Sequence, residues 1–378
     1  MEIPLVVSVI IVFIITLYIV LVANFIRGWN RLDLYMPTNE ILGTKVSVIV
    51  AARNEEKSIS RTLDDLIAQS YDKNLTEIIF IDDHSTDRTS EIISSYTQHG
   101  IKLICLNEDK PLNSYKKKAI QMAIAASSGT LIVTTDADCK MEPDWLKTIV
   151  SFYEENNYKM ISSPVVYFEE RSFFERAQSL EFLYLIGLGA STIGNGQPAT
   201  CNGANLAYEK EAFYEVNGFN GIDDLASGDD ELLLHKMSKA FNNKIGFLKN
   251  RNAIVYTHAK TTIKEFIQQR KRWSSKSTRY KDRSVIALGV FVWVFNLALI
   301  ANICAGLFIE FFLKAALFQL LCKFLIEFVF LYKVTGFADR RKLLFLLPLV
   351  SLVHALYIVY IGIAGNSGKY KWKGRMVR

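Results

Sequence analysis

Two carboxylates separated by one residue are the most informative chemical feature of this chain of 378 residues. Asp136 and Asp138 follow a strand-like apolar run, and oxygen ligands at this spacing on a turn can hold one hard divalent cation. Such a cation neutralises charge on phosphate groups. The motif therefore indicates a site for Mg²⁺ or Mn²⁺ with a nucleotide diphosphate.

Other polar clusters also come directly after strand-like apolar runs. Arg53 and Glu55 follow the first apolar run of the central region, and Asp82 and Asp83 follow the second. Taken alone, each cluster would also suit a polar turn in front of a helix. Because ligands bind outside the carboxyl ends of parallel strands, their joint position favours one shared site. Lys116, at the start of a later helix, adds an anion partner, since helix N-termini attract phosphate.

The periodicity of the central region alternates between strands and helices. The predicted strands cover 45–52, 77–81, 102–105 and 130–135, and the predicted helices cover 56–69, 86–99 and 116–127. The strands are nearly continuous apolar runs rich in β-branched residues, as in sheets covered on both faces. We therefore predict an α/β fold with a mainly parallel sheet and right-handed crossovers.

Apolar residues make up 50% of the chain and are concentrated at its two ends. Residues 3–26 form a stretch long enough to cross a bilayer, without a basic segment before it or a cleavage pattern after it. Arg27 and Arg31 follow, so the positive-inside bias places the central domain in the cytoplasm. The five cysteines lack paired or metal-ligand spacing, which agrees with a reducing compartment.

The C-terminal region contains three apolar stretches, near 285–309, 314–334 and 343–364. Three spans starting in the cytoplasm would leave the basic tail outside, against the charge bias. Two explanations remain open: one stretch is re-entrant or interfacial, or the tail is an exception. We expect a multi-pass protein of the inner (plasma) membrane.

The predicted domain order follows from these stretches. It comprises an N-terminal transmembrane helix (1–28), a cytoplasmic α/β domain (29–262), an interfacial amphipathic segment (263–283), about three transmembrane helices (284–366) and a basic tail (367–378).

Six motifs occur in an order and spacing that resemble the family 2 glycosyltransferases. They are Val46 to Glu56 (VSVIVAARNEE), Ile79 to Thr89 (IFIDDHSTDRT), Thr134 to Cys139 (TTDADC), Asn202 to Tyr208 (NGANLAY), Ser227 to Leu232 (SGDDEL) and Gln269 to Trp273 (QRKRW). Together they extend over roughly residues 44–275. The resemblance implies the nucleotide-sugar fold called GT-A for the catalytic domain.

The resemblance also assigns roles to the matching positions. Asp82 and Asp83 match the acidic pair that contacts the nucleoside, which implies a UDP-sugar donor. Asp136 and Asp138 match the motif that binds Mg²⁺ or Mn²⁺, and Asp138 is the expected direct ligand. The other positions expected to bind substrate in this domain are Arg53, Glu55, Lys116, Asn202 and Gly203. His258 is a further candidate metal ligand, although a lone histidine is more often structural.

Asp229 and Asp230 match the motif that supplies the general base, and the residues downstream favour Asp230. A carboxylate there would take the proton from the acceptor hydroxyl during a single inverting displacement. The pair would equally suit a helix start. In the Gln-x-x-Arg-Trp motif, which includes Gln269, we expect Arg272 at the diphosphate and Trp273 beneath an acceptor ring. Without the resemblance, that cluster would be a membrane-interface belt.

The number of apolar spans bears on the reaction. A processive synthase needs helices that enclose a polar channel, whereas about four spans with few polar residues are available here. We therefore expect transfer of one sugar to a membrane lipid or lipid-linked saccharide. The alternatives are a processive synthase of the cellulose, chitin or hyaluronan type, a non-catalytic membrane scaffold with a retained GT-A fold, and a nucleotidyltransferase. No nucleic-acid partner is expected.

Overall fold

The computed structural model of the protein describes residues 2–38, 42–108, 112–365, 370–372 and 375–377. The chain divides into two compact units. The helical unit comprises Met1–Asn30, Arg171–Ser191 and Lys260–Gly368, and the sheet unit comprises Arg31–Glu170, Thr192–Ala259 and Lys369–Arg378. The predicted site residues lie in the sheet unit, except for those of the Gln-x-x-Arg-Trp motif, which lie in the helical unit.

Strands form the centre of the sheet unit. They are β1 (Val46–Ala52), β2 (Thr76–Asp82), β3 (Ile101–Cys105), β4 (Leu131–Asp136), β5 (Lys140–Met141), β6 (Met160–Ser162), β7 (Val165–Tyr167), β8 (Leu206–Glu209), β9 (Ile245–Phe247) and β10 (Val255–Thr257). Seven of them form one sheet in the order β3-β2-β1-β4-β8-β6-β9, and β5-β10-β7 form a smaller one.

The pairing within the larger sheet is mainly parallel. β1 pairs in parallel with β2 and β4, and β2 with β3. Only β8 reverses direction there, because it lies antiparallel to both β4 and β6. The interior strand β1 is buried along almost its whole length, which explains its continuous apolar run. The predicted α/β fold with a mainly parallel sheet is confirmed.

Helices account for most of the remaining described structure. They are α1 (Glu2–Arg31), α2 (Ile59–Ile67), α3 (Thr89–Ser95), α4 (Tyr115–Ala126), α5 (Trp145–Asn156), α6 (Phe173–Gly194), α7 (Lys210–Glu215), α8 (Glu231–Ala240), α9 (Ile263–Ser275), α10 (Arg283–Gly306), α11 (Glu310–Phe337) and α12 (Leu347–Ala364). Short 3₁₀ turns follow α3, α9 and α11, at Thr97–His99, Lys276–Arg279 and Arg341–Leu346.

The helical unit carries the long apolar segments. Within the described residues, four are long and apolar enough to cross a membrane: Leu5–Arg31, Arg283–Gly306, Glu310–Phe337 and Arg341–Ala364. Their exposed faces are rich in leucine, valine and phenylalanine, as expected for surfaces that meet lipid.

Two helices are shorter than the sequence predicts. We expected helices over 56–69 and 86–99, but α2 begins at Ile59 and α3 at Thr89. The reason is that the loops after β1 and β2 bind each other: Thr86 N–H donates to Asn54 Oδ1, and Glu56 N–H donates to Asp87 Oδ2. Asn54 also has φ of +51°, which a continuing helix excludes.

The predicted basic tail is described only in part. Residues 366–369, 373–374 and 378 lie outside the described residues. The backbone of β11 (Tyr370–Trp372) and β12 (Arg375–Val377) forms an antiparallel pair.

Candidate active site

The first two parallel strands end in a tightly bonded acidic corner. Arg53, directly after β1, donates from Nη1 to the carbonyls of Asp83 and His84 at 2.6 and 2.9 Å. Asp83 is 2% exposed, and its N–H donates to the Ala52 carbonyl at 2.8 Å. Asp82 accepts from the Ser85 N–H. Arg53 therefore fixes the backbone of the acidic pair that the sequence assigns to the nucleoside.

A lysine from α4 reaches the end of β4. Lys116 Nζ lies 2.8 Å from Asp136 Oδ1 and 3.0 Å from Asp229 Oδ2. Burial alone would lower the pKa of Lys116, but the carboxylates of Asp136 and Asp229 raise it above its ordinary value. The ammonium therefore stays charged at neutral pH. It joins the predicted metal-binding motif to the acidic pair that contains the predicted base.

The predicted base itself is held by backbone groups. Asp230 caps α8, where its Oδ1 accepts from the Glu231 N–H at 2.6 Å. Its Oδ2 accepts from the Gly203 N–H at 3.1 Å. The Gly203 carbonyl in turn accepts from Thr134 Oγ1 of β4 at 3.1 Å. The structure thus brings together the predicted loop around Gly203, the end of β4 and the acidic pair, and the helix-start function of Asp230 is also present.

Position 203 leaves little room for a side chain. A Cβ there would stand 3.3 Å from both Asp229 Oδ2 and Asp230 Cβ. Its neighbour Asn202 uses its side-chain oxygen locally, accepting from the Ala204 N–H at 2.9 Å. The loop at Gly203 therefore lies so close to the carboxylates of Asp229 and Asp230 that a substrate group bound to the loop could also contact them.

The remaining predicted residues of the sheet unit have local partners. Glu55 accepts from the Ser58 hydroxyl at 3.0 Å, and its N–H donates to Thr89 Oγ1, so it joins the two loops after β1 and β2. His258 stacks on Phe168 with ring centroids 4.4 Å apart. The described residues contain no group of three or more His, Cys, Asp and Glu side chains that could enclose a metal ion.

The donor set still fits a substrate-borne cation. Mg²⁺ is usually bound by one or two carboxylates and completes its shell with waters and substrate phosphates. Asp136, with 39% of its side chain exposed, and the partly exposed Asp138 satisfy this requirement at the end of β4. Lys116 binds one oxygen of Asp136. The choice of Asp138 as the direct metal ligand stays a prediction.

The Gln-x-x-Arg-Trp motif is part of α9 in the helical unit. Trp273 packs near Phe182 at a centroid distance of 6.0 Å, and the guanidinium of Arg270 lies 4.2 Å from the Trp273 ring. Arg270, 2% exposed, forms a buried ion pair with Glu181. Arg272 is only partly buried. The roles of Gln269, Arg272 and Trp273 toward substrate remain predictions.

Arg270 and Lys117 are among the buried cationic residues that the sequence analysis did not single out. Lys117 is 1% exposed and faces the sheet unit's interior on the same side of α4 as Ile120 and Ile124. Helical spacing contained that signal, since positions 117, 120 and 124 share one face. The signal for Arg270 was weaker, because its partner Glu181 is distant in sequence.

Comparison with known proteins gives a family match and a structural neighbour. Residues 47–216 match the model of the glycosyl transferase family 2. The mannosyltransferase PcManGT from Pyrobaculum calidifontis, solved with GDP-Man and Mn²⁺, has a similar fold, with a TM-score of 0.56 at 16% identity over 94% of this chain and 98% of its own. Residues 47–216 are therefore similar to family 2 glycosyltransferases, and the fold is of the GT-A type.

Curated relatives share this domain. A beta-monoglucosyldiacylglycerol synthase of Synechocystis sp. is 26% identical over 242 residues, which are 63% of this chain and 49% of the relative. A glucosyl-dolichyl phosphate glucuronosyltransferase of Haloferax volcanii is 25% identical over 185 residues, 47% of this chain and 56% of the relative. The chain thus spans about half the length of these relatives.

Proposed function

We propose that this protein is an inverting glycosyltransferase that moves one sugar from a UDP-sugar to a membrane lipid or a lipid-linked saccharide. The observation that carries the proposal is the bridge from Asp136 through Lys116 to Asp229 at the strand ends of a family 2 domain. Two relatives whose names specify lipid products or acceptors support the acceptor class.

The donor end of the site would bind the nucleotide. Asp82 and Asp83 offer carboxylate oxygens to the uracil N–H or ribose hydroxyls, and Arg53 holds their backbone in place. Asp138 with Asp136 would hold Mg²⁺ or Mn²⁺, which neutralises charge on the departing diphosphate when bound. The GDP-Man and Mn²⁺ complex of the structural neighbour supports a metal-bound sugar nucleotide.

The acidic pair would supply the general base. Asp230 is our candidate, because hydrogen bonds from the Gly203 and Glu231 N–H groups orient its carboxylate. Asp229 is charge-compensated by Lys116, which suits a positioning role. Asp230 would accept the proton of the acceptor hydroxyl as that oxygen bonds to the anomeric carbon and the diphosphate leaves.

The helical unit would deliver the acceptor from an inner (plasma) membrane, with the catalytic domain in the cytoplasm. Arg27 and Arg31, at the end of α1, support that orientation through the positive-inside bias. Trp273 on α9 would contact the acceptor, and Gln269 and Arg272 would contact the donor phosphates.

The polar groups of the long helices favour single transfer over a polymer channel. Asn302 Nδ2 donates to Gln319 Oε1 at 3.1 Å, and Gln319 Nε2 donates to the Phe295 carbonyl at 2.9 Å. Lys323 Nζ and Tyr18 both donate to Glu327 Oε1. These groups satisfy one another, whereas a polysaccharide channel needs polar groups free to face its lumen.

The test is release of UDP or GDP by protein purified in detergent with Mn²⁺. A panel of UDP-sugars and GDP-mannose is tried with and without a membrane lipid extract, and wild type is compared with Asp230→Asn and Asp229→Asn. We expect lipid-dependent release from one UDP-sugar, a discrete glycolipid product, and a kcat about 10³-fold lower in Asp230→Asn.

Any other result of this assay would favour one of the alternative functions or assignments. A growing polymer would indicate the processive synthase. Release from GDP-mannose alone would overturn the UDP assignment. A greater loss in Asp229→Asn than in Asp230→Asn would move the base to Asp229. No release, with no UDP binding, would favour the non-catalytic scaffold.

A further inference from the structure

The buried ammonium of Lys117 binds the loop 222–228, which precedes the acidic pair Asp229 and Asp230; this loop is called the clasped loop below. Lys117 Nζ donates to the carbonyls of Ile222, Leu225 and Ser227 at 2.5, 2.8 and 2.7 Å. Three N–H groups thus meet three carbonyls, which matches the full donor capacity of a lysine. Such a set compensates for the cost of burying the charge.

The clasped loop has no regular structure of its own. Residues 222–228 lie between α7 and α8, and glycines at 221 and 228 have φ of +78° and +84°. The segment leads directly to Asp229 and Asp230. Without helix or strand bonds, its conformation depends on side-chain bonds such as those of Lys117.

Charge around Lys117 supports the same role. Burial lowers the pKa of Lys117 to about 8, against the opposing effect of four carboxylates. These carboxylates belong to Asp229, Asp230, Asp224 and Asp223. All four lie on or beside the clasped loop, so the ammonium also balances its negative charge.

We propose that Lys117 is a positioning residue that sets the loop 222–228, and thereby the acidic pair, for proton removal from the acceptor; this rests on the proposed transfer reaction. Lys116, one position earlier on α4, holds Asp229 from its side chain. The two consecutive lysines therefore act on the acidic pair in different ways. Lys117 binds backbone carbonyls of the loop before the pair, and Lys116 binds the Asp229 carboxylate.

The test compares Lys117→Met and Lys117→Arg with Lys118→Met as control, because Lys118 is an exposed lysine on the same helix. Amide hydrogen exchange of 222–228, the Kd for UDP and kcat are measured on each. In Lys117→Met we expect exchange to rise and kcat to fall, each about tenfold, with the Kd for UDP within about twofold. Lys117→Arg, which keeps the charge and donors, should recover part of both.

Two results would overturn the proposal: a kcat within about twofold of wild type in folded Lys117→Met, or a lower kcat without faster exchange in 222–228. If Lys117→Met does not fold, the second criterion is applied to Lys117→Arg: a lower kcat without faster exchange in 222–228 would overturn the proposal. A wild type that transfers no sugar would defeat the proposed function, whereas the exchange experiment would still report on the clasp.

A second, independent observation concerns the last apolar helix. In the helical unit α1 and α11 run parallel: Trp29 contacts Phe337, and Tyr18 OH donates to Glu327. α10 and α11 form an antiparallel hairpin through Asn302 and Gln319. The end of α1, the start of α10 and the end of α11 therefore lie at one end of the bundle.

The first and the last residues of α12 both lie at the end of the bundle where α10 starts and α11 finishes. Its leading 3₁₀ turn adjoins the end of α11, where the Arg340 N–H donates to the Thr335 carbonyl at 2.7 Å. Its last residues adjoin α9 and the first half of α10: Gly365 contacts Ser274, and Trp293 Nε1 donates to the Val359 carbonyl at 3.2 Å. A crossing helix would have its final turn at the opposite end of its neighbours.

We infer that α12 enters and leaves the membrane on one face, so that α1, α10 and α11 are the crossing helices. This resolves the charge conflict of the sequence, because the chain after α12 then leaves the membrane on the face where α1 ends, next to Arg27. The inference does not depend on the proposed reaction.

Single cysteines in a cysteine-free variant that still binds UDP test this arrangement. Arg283→Cys marks the start of α10, Phe308→Cys marks the α10–α11 turn, and Lys371→Cys marks the segment after α12. With an impermeant maleimide on sealed vesicles, positions 283 and 371 should react from one side and 308 from the other. Labelling of 371 together with 308 would show that α12 crosses and would overturn the inference, as would labelling of 283 together with 308.

Discussion

Lys116 Nζ lies 3.0 Å from Asp229 Oδ2, so a lysine at the start of α4 is bound to the acidic motif that precedes α8. The same nitrogen contacts Asp136 at the end of β4. The shared ammonium connects the predicted metal ligand Asp136 to the acidic pair that contains the predicted base. It also keeps two carboxylates close together without mutual repulsion.

Removing this cation should impair transfer more than folding. We expect Lys116→Met to lower kcat about 10²-fold, because a preorganised positive charge is lost beside the departing diphosphate and Asp229 loses its partner. Lys116→Arg should retain more activity, and Lys118→Met serves as the control in the same glycosyl-transfer assay. Equal activity of Lys116→Met and Lys118→Met would remove Lys116 from the site.

The metal assignment predicts a concentration effect. Asp138→Asn should raise the Mn²⁺ concentration for half-maximal transfer at least about tenfold, because a neutral amide is a weaker ligand for a hard cation. Asp136→Asn should have a smaller effect on Mn²⁺, since Lys116 already binds that carboxylate. Glu142→Gln, an exposed acid just after β5, is the charge-matched control. Full activity of wild type in EDTA would refute the metal site.

The sequence predicted the sheet and its strand ends because buried parallel strands leave continuous apolar runs, as in β1 and β4. It also placed Asp82 and Asp136 at one edge of the sheet, since both follow such runs, whereas Gly203 was assigned to the site by the family resemblance. Helical spacing indicates the buried side of α4, but local patterns could not identify the partners of Lys117, because these are carbonyls of a distant loop. Hydropathy likewise could not distinguish an α12 that crosses the membrane from one that enters and leaves it on the same face.

The two arginines of the Gln-x-x-Arg-Trp segment should differ in effect. Arg270→Met should lower the free energy of unfolding by about 3 kcal/mol, because it leaves the Glu181 carboxylate buried without its cation. Arg272→Met should leave stability nearly unchanged while reducing transfer, if its predicted contact with the diphosphate is correct. Thermal unfolding of detergent-purified protein and the transfer assay measure the two effects. Unfolding midpoints that agree for both variants would show that the Arg270 pair is not stabilising.

Glu77 provides a pH-dependent test of the sheet itself. Burial would raise its pKa, but hydrogen bonds from Lys102, Ser47 and the Ser128 N–H lower the pKa to about 2 from an ordinary value of 4.5. Because the native state favours the ionised form, its contribution is complete above about pH 4.5 and is lost as the pH falls toward 2.

Glu77→Gln should therefore reduce the free energy of unfolding by about 2 kcal/mol at pH 7, which allows for the 60% exposure of Lys102. The difference from wild type should shrink steadily between pH 4.5 and pH 2 in denaturant titrations. Glu91→Gln, which breaks an exposed pair with Arg88, should show almost no change at either pH. A Glu77→Gln deficit that stayed constant down to pH 2 would mean that packing of the side chain, and not its charge, holds β1, β2 and the start of β4 together.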